Sequence, residues 1–127
     1  MTKENFRYAR HMQGKGRGGA GSWVAVQLNS LALICLFSWL LVSIVLLPNM
    51  SYGVVRLWLA RPSNSVMMVI LILLSFWHAK DGLLELVDDY IHAAGSKIAS
   101  LIVIYALTIL GSAFCVLMVV QIGLGGR

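Results

Sequence analysis

The stretch HAKDGLLELVDDYIH, residues 78–92, places two histidines, four carboxylates, a lysine and a tyrosine directly after a long apolar run. Helical spacing gives them an order. Counted from His78, Gly82, Glu85, Asp89 and His92 stand at +4, +7, +11 and +14, which a 3.6-residue period puts on one stripe. Leu83, Leu84, Leu86 and Val87 occupy the other faces. If Tyr90 marks a membrane interface, His78 lies about 18 Å inward by helix rise. That is the middle of a hydrocarbon core about 30 Å thick. An ionisable group at such depth points to function. A neutral imidazole there has three suitable roles: axial ligand to a metal or haem iron, hydrogen bond to a neighbouring helix, or proton relay. Gly82, one turn away, removes bulk and lets a flat cofactor or another backbone approach. Tyr90 suits an interfacial anchor. With Asp89 beside it, it also suits a quinone head group, which needs a hydroxyl donor for its carbonyl and a carboxylate to help supply protons. Asp88 and Asp89 oppose the dipole at a helix C-terminus, which hints at a purpose beyond the helix.

The elements that must carry these groups are membrane helices. Of 127 residues, 59% are hydrophobic and only 12% charged, against roughly 25% charged in soluble domains. Mean hydropathy is +0.83. Three apolar runs are each long enough to span a bilayer, which takes about 20 residues. Lipid cannot satisfy free backbone groups and three strands cannot close a barrel, so each run is a helix. The expectation is an all-α integral membrane protein with three transmembrane helices, part of a larger helical bundle. Its segments are a basic N-terminal segment (1–23), a first span (24–47, closed by Pro48), an external loop (48–64), a second span (65–90), a short loop (91–97), a third span (98–122) and a tail (123–127). The first run is too long for a signal-peptide core and lacks a small-residue cleavage site, so it reads as a retained helix.

The net charge of +5 sits mainly in Lys3, Arg7, Arg10, Lys15 and Arg17. Beside a span, such a cluster is a topology signal, not a nucleic-acid surface. It puts the N-terminus in the cytoplasm, or in a matrix-equivalent compartment, and the C-terminus outside. The expected setting is a bacterial inner membrane with the C-terminus periplasmic, and a mitochondrial inner membrane is the alternative. The glycine-rich stretch MQGKGRGGAGS, residues 12–22, reads as irregular. Cys35 and Cys115 differ in depth by roughly 9 Å by helix rise, beyond the usual reach of a disulfide, and read as packing residues. Trp23, Gln27, Asn29 and Ser30 lie where the first span enters the membrane and suit anchoring. His11 and His92 fall outside the hydrocarbon and read as surface histidines. Tyr105, Thr108, Gly111 and Ser112 interrupt an aliphatic third run suited to packing and lipid contact. Tyr52, Arg56, Trp58 and Arg61 give the first loop the look of an interfacial segment.

The spacing His-x3-Gly-x6-Asp-Tyr, here His78, Gly82, Asp89 and Tyr90, resembles the signature of a hydrophobic membrane anchor of succinate dehydrogenase (complex II). In that family the motif ends the second of three spans, as it does here. The resemblance implies that His78 is an axial ligand of haem b shared with a second membrane anchor subunit. It implies that Tyr90 hydrogen-bonds ubiquinone, with Asp89 beside it. Ser30 and Gln27 are weaker candidates for propionate or quinone contact. The remaining partners implied are the iron–sulfur and flavoprotein subunits. Succinate oxidation belongs to the latter, so this chain alone carries no succinate chemistry. One departure stands out. Members often carry Gln-Arg after a tryptophan near the start of the first span, whereas this chain reads WVAVQLNS, with Leu28 at the arginine position.

Two other readings account for the hydropathy. A proton-translocating subunit would use His78, Asp81 and Glu85 as a relay. A structural adaptor would carry no redox site and would leave the His-Gly-Asp-Tyr spacing unexplained.

Overall fold

The structure, a computed structural model, describes residues 20–125. The basic cluster, His11 and Arg127 lie outside the described residues. Four helices follow one another: α1 (Ala20–Val45), α2 (Tyr52–Ala60), α3 (Pro62–Tyr90) and α4 (Ala94–Gly125). Among the described residues there is no strand. Three helices, α1, α3 and α4, are long and apolar enough to cross a membrane.

The helices outrun the apolar segments that announce them. Hydropathy marks only the part in hydrocarbon, while backbone hydrogen bonding continues into the headgroup region. Thus α1 begins at Ala20, and Gly21 and Ser22 join it instead of staying irregular. Helix propagation adds one bond per residue once a nucleus exists, enough to carry small residues along. Helix α3 has 29 residues, or about 43 Å, matching a bilayer of about 40–45 Å with its headgroups. Pro62 and Tyr90 therefore reach opposite headgroup layers, and His78 lies near the middle.

The interfacial segment forms helix α2 and turns into α3 at one residue. Arg61, with φ −70° and ψ 123°, closes α2 and opens α3, and Pro62 occupies the first turn of α3. A proline costs no hydrogen bond there, because that N–H has no helical partner. The corner is tied across its inside. Asn64 Nδ2 donates to the Trp58 carbonyl at 2.8 Å, and the Ser65 hydroxyl donates to the Leu59 carbonyl.

Helix α3 is the central element. It packs most extensively on α4, then on α1, while α1 and α4 do not meet. The spans thus form a row with α3 in the middle. The α1–α3 seam holds the core cluster of Leu33, Leu36 and Leu71, flanked by Leu40, Met67, Met68 and Leu74. The α3–α4 seam is close because Gly111 leaves room for the Phe76 ring. A Cβ at Gly111 would stand 2.7 Å from Phe76 Cε1, whereas a Cβ at Gly82 would meet nothing within 4 Å. Three hydroxyls within the spans are satisfied by their own helix turns: Ser30 to Val26, Ser38 to Ile34 and Thr108 to Ile104.

Gly111→Ala should therefore loosen the α3–α4 pair by about 1–3 kcal/mol through overpacking. Gly82→Ala should be neutral or stabilising by up to about 1 kcal/mol through helix propensity. Reversible unfolding in mixed micelles measures both, and equal effects would contradict this packing.

Candidate functional site

Helix α3 ends at Tyr90. Ile91, with φ −109° and ψ 105°, is already extended, and its N–H closes the last turn on the Val87 carbonyl. His92 therefore leaves the stripe that helical spacing gives it, since the chain turns toward α4 two residues earlier. His78, Gly82, Glu85 and Asp89 do remain on one continuous helix, and all four are exposed. Tyr90 is 78% exposed at the helix end. Neither α1 nor α4 covers this face. His78 makes no hydrogen bond or ion pair among the described residues. Asp89 lies about 16 Å from His78 along the axis, so the two ends of the motif serve different depths. No group of three or more His, Cys, Asp or Glu side chains is placed to hold a metal among the described residues.

Lys80, Asp81 and Asp88 gain structural roles that spacing does not reveal. Lys80 Nζ lies 2.9 Å from Asp81 Oδ1, with side-chain exposures of 12% and 34%. The same ammonium stands 4.1 Å from the Trp77 ring centroid and 5.7 Å from that of Tyr105 on α4. A lysine about 15 Å inside the Tyr90 end is thereby paired, and shielded by two aromatic faces. At the helix end, Asp88 Oδ1 accepts from Lys97 Nζ at 2.6 Å. That bridge draws α3 and α4 together and offsets a carboxylate facing the negative end of the helix dipole. Both side chains are partly exposed, so its energy is modest.

Between α1 and α3, toward the Tyr90 end, lies a cleft of about 380 Å³. Its walls include Val26 and Asn29 from α1, and Trp77, Asp81, Leu84 and Glu85 from α3. Asn29 Oδ1 is buried there without a hydrogen-bond partner. An orphaned acceptor costs about 1–3 kcal/mol, which a donor entering the cleft would relieve. Asn29 is the residue sequence reasoning undervalued: an asparagine four residues before the core leucine Leu33 was a signal in its own right. The cleft does not gather the candidates of α1. Gln27 and Ser30 are absent from its lining, and the Ser30 hydroxyl is given to Val26 at 3.0 Å. Nor does it join the proposed relay, since Asp81 and Glu85 line it and His78 does not.

Three apolar spans with one polar, uncovered face on the central helix define a multi-pass membrane protein. The comparisons with known proteins add a relative. The chain is 27% identical over 79 residues to the succinate dehydrogenase hydrophobic membrane anchor subunit of Rickettsia conorii, an alignment that covers 61% of this chain and 63% of that protein. The chain thus spans just under two thirds of the relative's length. No protein-family model matches the chain. No solved structure matches it significantly.

Replacing Lys80 with Ala should destabilise the fold by about 1–3 kcal/mol, between the values for exposed and for buried ion pairs, since this pair is only partly buried. The double variant Lys80→Met, Asp81→Leu should recover most of that loss. Thermal unfolding in detergent tests this, and a double variant no better than the single one would refute the pairing.

Proposed function

We propose that this chain is a membrane anchor subunit of a succinate dehydrogenase, holding haem b through His78 and forming part of a ubiquinone site through Tyr90 and Asp89. The observation that carries the reading is the uncovered face of α3, where His78, Gly82 and Asp89 stand in the family's order. The similarity to the Rickettsia anchor subunit supports it. A single unengaged imidazole in mid-span is of the type that would hold a haem iron, with any further iron-binding side chain supplied by another chain. The open space at Gly82 suits a flat macrocycle on that face.

Bound haem b supplies one-electron transfer within the bilayer. The chain's own contribution is orientation and proton handling. His78 holds its ring on the middle of α3 and presents a ring nitrogen. The Tyr90 hydroxyl donates a hydrogen bond to a quinone carbonyl oxygen at the membrane surface. The Asp89 carboxylate, beside water, takes up a proton and passes it toward that oxygen. On this reading the partners are a second anchor subunit, an iron–sulfur subunit and a flavoprotein subunit, in a bacterial inner membrane with the N-terminus cytoplasmic.

His78→Ala in the assembled complex should abolish or shift the reduced-minus-oxidised spectrum of a b-type haem. An unaltered spectrum would remove His78 as ligand. Tyr90→Phe should raise KM for a short-chain ubiquinone about 3- to 10-fold, the loss of one hydrogen bond, while the haem spectrum stays unchanged. Steady-state quinone reduction reads the first effect and absorbance the second.

A further inference from the structure

At the end of the bundle opposite Tyr90, the last turn of α1, helix α2 and the first turn of α3 enclose a groove of about 740 Å³. It has two kinds of wall. Leu46, Leu47, Val54 and Leu57 make one side apolar, and Arg61 and Asn64 put polar groups at the other. Trp58, which also lines it, is held by stacking on Trp39 of α1, with ring centroids 5.6 Å apart and planes inclined by 30°.

The two arginines at this end are used differently. Arg56 donates to the carbonyl of Gly125 and so closes the end of α4. Arg61 is exposed, and its guanidinium has no hydrogen bond or ion pair among the described residues. Asn64 gives one amide N–H to Trp58 and retains a second. The C-terminal ends of α1 and α2 and the N-terminal end of α3 all reach the groove. Their partial charges, about half a unit each, sum to about −0.5, which the full positive charge of Arg61 outweighs. Because α3 spans about 43 Å, Arg61 stands at the level of the lipid phosphates.

We propose that this groove is a binding site for one anionic phospholipid. The guanidinium of Arg61 engages the phosphate, with two parallel N–H···O bonds as its fork geometry allows. The upper acyl chain lies along Leu46, Leu47, Val54 and Leu57. A zwitterionic lipid brings the same phosphate, but its ammonium cancels the attraction, so the site selects for net negative charge. The bound lipid seals the groove between α1 and α2, whose backbones make no contact with each other.

Native mass spectrometry of the full chain, with any co-purifying subunits, tests this by titrating phosphatidylglycerol against phosphatidylcholine. One phosphatidylglycerol should be retained with about tenfold preference, equivalent to about 1.4 kcal/mol. Arg61→Gln should abolish the preference. The corner is made by backbone groups of residue 61, so this variant should keep the fold, which circular dichroism checks. Arg61→Lys should keep a reduced preference of about threefold, since it keeps the charge and loses the fork. Arg56→Gln should keep the full preference. Retention of both lipids alike, survival of the preference in Arg61→Gln, or equal loss in Arg56→Gln would each overturn the proposal. The last result would mean that surface charge alone attracts the lipid.

Discussion

A bilayer offers no hydrogen bonds to the groups it surrounds, and every polar feature of this chain answers to that constraint. The backbone answers by forming helices throughout the spans. Several serine and threonine hydroxyls answer locally, as Ser30, Ser38 and Thr108 do by bonding to a carbonyl one turn back. Lys80 and Asp81 answer as a pair, with the lysine further enclosed by the Trp77 and Tyr105 rings. The sharp α2–α3 corner survives because Asn64 and Ser65 reach back to the carbonyls of Trp58 and Leu59. Against this background of satisfied groups, the exceptions stand out. Among them are the uncovered His78 and Glu85 and the orphaned oxygen of Asn29.

The row of spans explains why those exceptions exist. In a closed three-helix bundle the central helix would bury one stripe and show the rest to lipid. Here α3 is flanked on separate faces by α1 and α4, which do not touch. Its flanks carry the core cluster and the Phe76–Gly111 contact, and a polar face is left over. Such a face is costly in lipid and inexpensive against a partner that supplies ligands or donors. Under the proposed function, that face is the one assembly would cover. The Arg61 groove lies at the opposite end of α3 and involves different neighbours, so the two ends face different surroundings.

Much of this is legible in the linear sequence, for a physical reason. Span number and helical character follow from hydropathy and backbone hydrogen bonding, which depend on local composition alone. The placement of His78, Gly82 and Asp89 on one face follows from helix period, provided the helix continues, and it does as far as Tyr90. The same rule fails for His92, because helix termination depends on the connection to α4. The glycine-rich residues before Trp23 mislead in the opposite direction, since an established helix recruits neighbours that would not nucleate one.

The sequence by itself determined a three-span helical membrane protein and the axial spacing of its polar groups, because both are properties of single helices in lipid. Only the tertiary structure decided which helix is central, that Lys80 sits under Tyr105, that Asp88 meets Lys97, and that Asn29 faces a cleft while Ser30 turns to its own backbone. It also decided that Arg56 is engaged at the end of α4 and Arg61 is not. These outcomes depend on the angle and order in which helices pack. Those are set by side-chain fit between segments far apart in the chain, as where Gly111 admits Phe76, and not by the pattern within any one of them.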